Sequence, residues 1–216
     1  MKSIILDASP TIISLLAIII FYKKLQPRWL RLFLYFLLIT LATDIGAGLY
    51  SQYFQKSNHF IINMYLPVNF CFYLLLFILT FEKRSYKNLV WMLLALFLVF
   101  YFSDILFLEG FYTFNIYSFC VGSILIVLCC LLYFTVLFTS EKVINYFASP
   151  PFWIATGLIF FYVGNLVQIS LMNYIINNQL DPGGRIYELI SIILNVILYG
   201  CITISFICNY PWRKAR

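Results

Sequence analysis

The chain has 216 residues, of which 63% are hydrophobic and only 10% are charged, and its mean hydropathy is +0.95. A soluble domain of this length does not carry so apolar a composition, so the sequence indicates an all-α, polytopic membrane protein. The net charge of +6 is unevenly distributed along the chain, and this distribution predicts a membrane topology and no nucleic-acid partner.

Seven stretches are long and apolar enough to cross a bilayer as helices of about 20 residues. In chain order, the predicted spans are 4–22, 29–50, 61–81, 89–108, 115–138, 152–174 and 186–208. Asp7 and Pro10 interrupt the first stretch, so we interpret it as a retained helix and not as a cleaved signal peptide. Short connections leave no room for a soluble domain, and we expect one transmembrane bundle over residues 1–216.

Lysine and arginine residues concentrate on one side of these spans. With the amino terminus outside, eleven of them lie on the inner side and three on the outer side. Cytoplasmic loops typically carry such an excess, so the predicted topology has the amino terminus out and the carboxyl terminus in. The four tryptophans, Trp29, Trp91, Trp153 and Trp212, agree with this topology because all of them fall at the inner interface.

Two sets of residues recur along the chain in the same order. Trp29, Trp91 and Trp153 are spaced by 62 and 62 residues, and Asp44, Asp104 and Asn165 by 60 and 61. The pattern favours a 1+2+2+2 arrangement, in which a leading helix precedes three helical hairpins of common orientation. The alternative is that interfacial tryptophans recur at hairpin spacing in any multi-span protein and that the Asp and Asn matches are accidental.

Polar side chains within the spans mark the candidate site, because an ionisable group in hydrocarbon costs roughly 3 kcal/mol or more. The candidates are Asp44, Asp104, Asn165, Gln168, Tyr65, Asn69, Glu188, Ser191 and Asn195, with Arg185 at the outer mouth. They lie towards the outer ends of their spans, so we expect them to line an outward-facing polar pocket. The alternative is that the amides and hydroxyls only hold helices together through interhelical hydrogen bonds.

Several seven-helix chemistries require residues that this sequence lacks. The last span has no lysine for a retinal Schiff base, and the sole histidine, His59, cannot supply the several ligands of a zinc hydrolase. We therefore predict no metal and no cofactor. The favoured function is a sensory or partner-binding module in the bilayer, with a separate cytoplasmic or membrane signalling partner. A small proton-coupled transporter and, less favoured, a membrane lipid hydrolase that uses Asp44 and Asp104 remain alternatives.

Two segments resemble a group of small seven-helix bacterial inner-membrane proteins of unknown function. These segments are "PPFWIATGLIFFYVGNLVQISLMNYI", residues 150–175, and "TDI", residues 43–45. The resemblance implies a location in the bacterial inner (plasma) membrane. It carries over no catalytic residues to this chain, so it does not decide between sensing, transport and hydrolysis.

Overall fold

The computed structural model describes residues 2–139, 146–178 and 184–208. Within these ranges the protein is all-helical and contains no strand. The helices are α1 (Lys2–Phe21), α2 (Leu32–Phe54), α3 (His59–Thr80), α4 (Arg84–Phe107), α5 (Ile116–Phe138), α6 (Pro150–Asn177) and α7 (Arg185–Cys208). Each begins and ends within five residues of a predicted span.

Six of the helices, α2 to α7, are long and apolar enough over the described residues to cross a membrane. Helices suit this environment because every backbone N–H and C=O must find a partner within the segment when no water is present. The prediction of an all-α membrane protein is confirmed at this level.

Local sequence explains where individual helices begin and end. Pro150 and Pro151 open α6, where their missing N–H groups cost nothing because the first turn has no intrahelical acceptor to serve. Gln55 ends α2 in the left-handed conformation, with φ 50° and ψ 33°. The last residue of α2 is Phe54, four residues past the predicted end at residue 50.

The helices form a ring with one helix outside it. α1 packs against α2, α2 against α3, α3 against α5, α5 against α6, α6 against α7, and α7 returns to α1. α4 packs on the outside of this ring, against α3 and α5. Six helices thus surround the interior of the bundle, and α4 covers the junction of two of them.

Aromatic side chains fill much of the interior. Phe70 of α3 is fully buried, and its ring centroid lies 5.0 Å from Phe97 of α4 and 5.4 Å from Tyr162 of α6. The contact between α3 and α5 requires a glycine, because a Cβ atom on Gly122 would lie 2.7 Å from the Phe70 ring. Small residues of this kind allow two membrane helices to approach closely.

The connections alternate between the two ends of the bundle. One end of the bundle, called the basic end, holds the connections between α1 and α2 and between α3 and α4, the last turn of α5 and the start of α6. The opposite end, called the Asn58 end, holds residues 55–58 and 108–115 and the start of α7. The ten lysines and arginines of the described ranges divide seven to three between the basic end and the Asn58 end. Trp29, Trp91 and Trp153 lie at the basic end, whereas Trp212 lies outside the described residues.

Candidate functional site

A cavity of about 480 Å³ opens between α2, α3, α6 and α7 in the half of the bundle next to the Asn58 end. Its polar lining consists of Thr40, Thr43, Asp44, Asn58, Tyr65, Asn69, Tyr73, Asn165, Gln168, Tyr187, Ser191, Asn195 and Tyr199. Its apolar lining consists of Ala47, Gly48, Ile62, Leu66, Phe114, Phe119, Phe161, Ile169 and Leu198. The volume suits a small molecule.

The cavity reaches towards the middle of the membrane. On α3 its lining extends from Ile62 to Tyr73, a rise of about 16 Å at 1.5 Å per residue. The hydrocarbon core of a bilayer is about 30 Å thick, so the deep end of the cavity lies near the centre of the bundle. Tyr73, Leu198 and Tyr199 lie at this deep end, and all three are buried.

Seven of the ten residues singled out from the sequence line this cavity. They are Asp44, Tyr65, Asn69, Asn165, Gln168, Ser191 and Asn195. They come from two pairs of consecutive helices, α2–α3 and α6–α7, and the ring arrangement of the helices brings the two pairs together. Whether these residues bind a ligand remains a prediction.

Asp104 lies elsewhere, between α4 and α5. It is fully buried, and its Oδ2 atom accepts hydrogen bonds from the Ser118 backbone N–H at 3.0 Å and from the Ser118 hydroxyl at 2.5 Å. Ser118 is in the first turn of α5, where backbone N–H groups lack intrahelical partners and favour a negative charge. The structure therefore places Asp104 as a cap on α5 and not in the cavity wall, because α4 packs outside the ring.

Arg185 and Glu188 also lie apart from the cavity lining. Both are in the first turn of α7, and both are exposed. The lining face of α7 consists of Tyr187, Ser191, Asn195, Leu198 and Tyr199, with spacings of four, four, three and one residues that keep to one side of a helix. On a helix of 3.6 residues per turn Glu188 falls at an angle between those of Asn195 and Tyr199, but it lies in the exposed first turn and is not among the lining residues.

Several cavity residues were not singled out from the sequence. Thr40 and Ala47 flank Asp44 at four and three residues, so a helical periodicity centred on Asp44 identifies their positions. Tyr73 and Tyr199 lie in apolar runs where tyrosine is an ordinary core residue, and no local pattern distinguishes them. Asn58 and Phe114 come from connections, and only the fold places them at the cavity.

The amide side chains of the lining are oriented by hydrogen bonds to the protein. Asn165 Nδ2 donates to the Phe161 carbonyl at 2.8 Å, and Asn195 Nδ2 donates to the Ser191 carbonyl at 3.0 Å. Gln168 Nε2 donates across the helix interface, to the Tyr187 carbonyl at 3.0 Å and to Ser191 Oγ at 3.1 Å. Gln168 thereby joins α6 to α7 at the cavity wall.

The remaining two lining amides, Asn69 and Asn58, also donate hydrogen bonds to protein groups. Asn69 Nδ2 donates to the Tyr162 hydroxyl at 2.9 Å, and Asn58 Nδ2 donates to the Ala47 carbonyl at 3.1 Å. The first bond links α3 to α6, and the second ties the 55–58 connection to α2. These five residues, Asn58, Asn69, Asn165, Gln168 and Asn195, are called the cavity amides below.

Hydroxyl groups join α2 to α3 beside Asp44. Thr40 Oγ1 donates to the Phe36 carbonyl at 2.9 Å and lies 2.6 Å from the Tyr65 hydroxyl. The Asp44 carboxylate is exposed in the lining and interacts electrostatically with the hydroxyls of Tyr65 and Tyr199. The charge of Asp44 therefore acts on hydroxyl groups of both α3 and α7.

A second polar cluster holds the connection between α4 and α5. Asn63 is fully buried, and its Nδ2 donates to the carbonyls of Phe111 at 3.0 Å and Thr113 at 2.6 Å. The Tyr101 hydroxyl donates to the Asn63 carbonyl at 2.8 Å. Glu109 accepts a bond from the Tyr117 N–H at 3.2 Å, and partial burial, with the nearby charge of Asp104, raises the pKa of the Glu109 carboxyl. This cluster fixes the connection.

The titratable side chains of the described cavity lining are Asp44 and the four tyrosines Tyr65, Tyr73, Tyr187 and Tyr199. Over the described residues, the lining contains one carboxylate and no histidine, cysteine, lysine or arginine. A nucleophile beside a general base, or a pair of carboxylates serving as acid and base, is the usual requirement for hydrolysis. Within the described ranges there is also no group of three or more His, Cys, Asp or Glu residues placed to hold a metal ion.

Comparison with known proteins adds no relative from which a role could be transferred. The resemblance of residues 150–175 and 43–45 to a bacterial membrane family therefore remains a prediction, and the cavity is the basis for any functional inference. No protein-family model, no curated protein and no solved structure matches this chain.

Proposed function

We propose that this protein is a receptor-like module of the bacterial inner membrane whose cavity binds a small polar molecule from the outer side. A separate signalling partner then recognises the ligand-bound form at the basic, cytoplasmic end. The observation that carries the proposal is the 480 Å³ cavity, in which polar side chains of four helices converge. Pockets of this size with a few converging polar groups are the usual form of small-molecule sites.

The proposed topology has seven spans, with the amino terminus outside and the carboxyl terminus inside. The seven-to-three division of described basic residues supports it, since cytoplasmic loops carry the excess of lysine and arginine. In this topology the Asn58 end faces outward, so the cavity is accessible from the periplasm. Reporter fusions after Arg84 and Gly110 test the orientation: the first should be active only in a cytoplasmic assay and the second only in a periplasmic one.

The repeated hairpins are part of the same proposal. Asp44 of α2 and Asn165 of α6 both line the cavity from the first helix of their hairpins, which supports equivalence of the α2–α3 and α6–α7 hairpins. Asp104 occupies the corresponding place in the α4–α5 hairpin but caps α5. The middle hairpin has therefore lost its share of the cavity in the proposed arrangement, as α4 packs outside the ring.

Ligand binding can be reported only if the two ends of the bundle are coupled. The cavity is formed by the α2–α3 and α6–α7 hairpins, and each of these reaches the basic end. A ligand that contacts both hairpins favours the arrangement in which their lining residues are closest. The spacing of α2, α3, α6 and α7 at the basic end then differs between the free and bound forms, and a partner can recognise this difference.

Proton-coupled transport is the second candidate, because Asp44 is a carboxylate within a cavity open to one side. A relay through Asp44 and Asp104 is less well supported, since Asp104 is fully buried and bonded to Ser118. Ligand-driven acidification inside proteoliposomes, abolished by Asp44→Asn, would replace the receptor proposal with a transporter.

Binding itself is tested with purified protein in lipid nanodiscs and a panel of small amines, polyols and carboxylates. A ligand present at 100 times its dissociation constant stabilises the folded protein by about 2.7 kcal/mol, which a thermal melt detects. Asn165→Leu should remove the response because Asn165 lines the cavity, and Val167→Leu, a change on the exposed face of α6, should retain it. Failure of every panel member, or equal responses of the two variants, would refute a ligand site here.

A further inference from the structure

We propose that the ligand of this cavity is a small organic ammonium compound that binds through its positive charge and its N–H groups. This inference rests on the proposed function, since it names the chemical class that the same cavity takes. It is carried by the Asp44 carboxylate of the lining, by the oxygens of the cavity amides, whose orientation is fixed by their N–H donations, and by the aromatic rings beside them.

Each cavity amide donates at least one N–H to the protein, and its oxygen accepts no hydrogen bond from the described residues. Gln168 makes two donations, whereas each of the other four amides makes one and keeps a second N–H. Nitrogen atoms of Asn58, Asn165, Gln168 and Asn195 donate to backbone carbonyls, which can only accept, so the orientation of these four amides is fixed. Asn69 donates to the Tyr162 hydroxyl. Within the described part of the chain, none of the five amide oxygens accepts a hydrogen bond from the protein.

The hydroxyl protons of Thr40, Thr43 and Tyr65, near Asp44, are also donated to protein groups. Thr40 has a single hydroxyl proton and donates it to the Phe36 carbonyl, so the 2.6 Å contact with Tyr65 must use the Tyr65 proton. The Tyr65 oxygen therefore faces the cavity as an acceptor. Thr43 likewise donates to the Ile39 carbonyl at 2.9 Å and retains only lone pairs.

The resulting lining presents several acceptors together with some donors. The Asp44 carboxylate, five amide oxygens and the hydroxyl oxygens of Thr43 and Tyr65 act as acceptors. Donors also remain, namely one N–H on each of Asn58, Asn69, Asn165 and Asn195 and the hydroxyls of Ser191 and Tyr73, for which the described structure records no donation. A ligand that donates several hydrogen bonds meets the carboxylate and the amide oxygens. A protonated amine has this character, since its nitrogen donates up to three hydrogen bonds and accepts none.

Charge leads to the same class of ligand. Among the lining residues that the structure describes, Asp44 is the charged one, and a charge-assisted bond to an ammonium group is stronger than a neutral one. Aromatic rings of Tyr65, Tyr199, Phe119 and Phe161 share the lining, and the face of such a ring attracts a cation. An anion would instead meet the carboxylate and the row of oxygens.

The test uses four probes with the same ring and different head groups: cyclohexylamine, its N,N,N-trimethyl derivative, cyclohexanol and cyclohexanecarboxylate. Thermal melts in nanodiscs should show stabilisation by the amine at concentrations where the alcohol and the carboxylate have no effect. The trimethyl compound keeps the charge but has no N–H group, so it should bind more weakly than the amine.

Matched variants locate the interaction. Asp44→Asn should weaken cyclohexylamine binding roughly tenfold or more, the usual effect of losing a hydrogen bond to a charged partner. Glu188→Gln removes an equal charge at the same end but outside the cavity and should change binding less than twofold. Asn165→Leu should also weaken it, because an amide oxygen is lost.

The results separate failure of this inference from failure of the proposed function. Binding of cyclohexanol or cyclohexanecarboxylate that Asn165→Leu abolishes would keep the cavity as a ligand site and overturn the ammonium assignment. Equal or tighter binding of the trimethyl compound would overturn the role of the N–H groups. Stabilisation by Na⁺ or K⁺ without any by the amine would assign the oxygens to an inorganic cation, and the absence of any amine response would also reject the inference.

Discussion

The carboxylate of Asp104 binds the first turn of the helix that follows its own, with Oδ2 2.5 Å from Ser118 Oγ and 3.0 Å from Ser118 N. Its other oxygen, Oδ1, is buried and has no hydrogen-bond partner within the described residues. An acidic residue in a membrane helix is often taken as a functional group. Here the geometry gives it a structural role, as the junction of α4 and α5.

Asp104→Leu should therefore destabilise the protein. The change leaves the Ser118 N–H and hydroxyl without their acceptor in a fully buried position, which costs about 1 to 3 kcal/mol and outweighs the relief of burying one unpartnered oxygen. Asp104→Asn retains an acceptor oxygen and should lose less. Thermal melts of both variants in nanodiscs measure the difference, and a Leu variant as stable as the wild type would contradict the capping role.

Gly122→Ala should also destabilise, by about 1 to 3 kcal/mol. The new Cβ atom would lie 2.7 Å from the Phe70 ring, and that ring is fully buried between α4, α5 and α6. Gly200→Ala is the matched control, because a Cβ there meets nothing within 4 Å and alanine favours a helix by about 0.8 to 1 kcal/mol. If both variants melt at the same temperature, the close contact between α3 and α5 is wrong.

Asn63→Ala should loosen the connection over residues 108–115. Asn63 supplies two donors to carbonyls of this connection, and its own side-chain oxygen accepts from the Asn115 N–H at 3.2 Å. Loss of these bonds removes the side-chain donor from the carbonyls of Phe111 and Thr113. Hydrogen exchange should then quicken for residues 111–117 and stay unchanged at 55–58. Uniform exchange across both connections would indicate global destabilisation instead.

Stability should depend on pH through Glu109. Burial and the charge of Asp104 raise the pKa of Glu109 in the folded protein above its ordinary value. The folded state thus favours the protonated carboxyl, so this contribution is fully present below the unfolded pKa and is lost as the pH rises through the raised folded pKa. Melting temperatures of wild type and Glu109→Gln should diverge as the pH increases through this window, with the variant more stable. Glu188→Gln, at an exposed position, is the control, and parallel wild-type and Glu109→Gln curves would count against the coupling.

Much of the fold can be predicted because a membrane helix needs only length and apolarity, both of which are local properties. The sequence alone does not reveal that α4 packs outside the ring. Nothing in residues 84–107 distinguishes α4 from a helix inside the ring, so Asp104 and Asp44 look equivalent until the helix contacts are known. The placement of Asp104 depends on which helix α5 meets, and this is a property of the whole bundle.

The candidate site was predictable to the extent that its residues follow helical periodicity. Asn165 and Gln168 share a face of α6, and Ser191 and Asn195 share a face of α7, so their spacing identified them. The exact face of α7 was not determined by spacing, since Glu188 and Tyr187 both fit a helical stripe with Ser191. In the structure Tyr187 lines the cavity and Glu188 does not, and Gln168, 19 positions earlier, donates to the Tyr187 backbone carbonyl.

The contact between α1 and α7 has a consequence for biogenesis. Ser14 donates a hydrogen bond of 2.9 Å to the Tyr199 carbonyl, 185 residues later in the chain, and the same hydroxyl lies 2.9 Å from Thr203 Oγ1. During synthesis, α1 enters the membrane long before its partner exists, and Gln168 of α6 lacks the groups of α7 to which it donates. The translocon or an insertase must therefore shelter a polar, incomplete ring until α7 emerges, and nascent chains arrested before residue 185 should be preferred targets of membrane quality-control proteases.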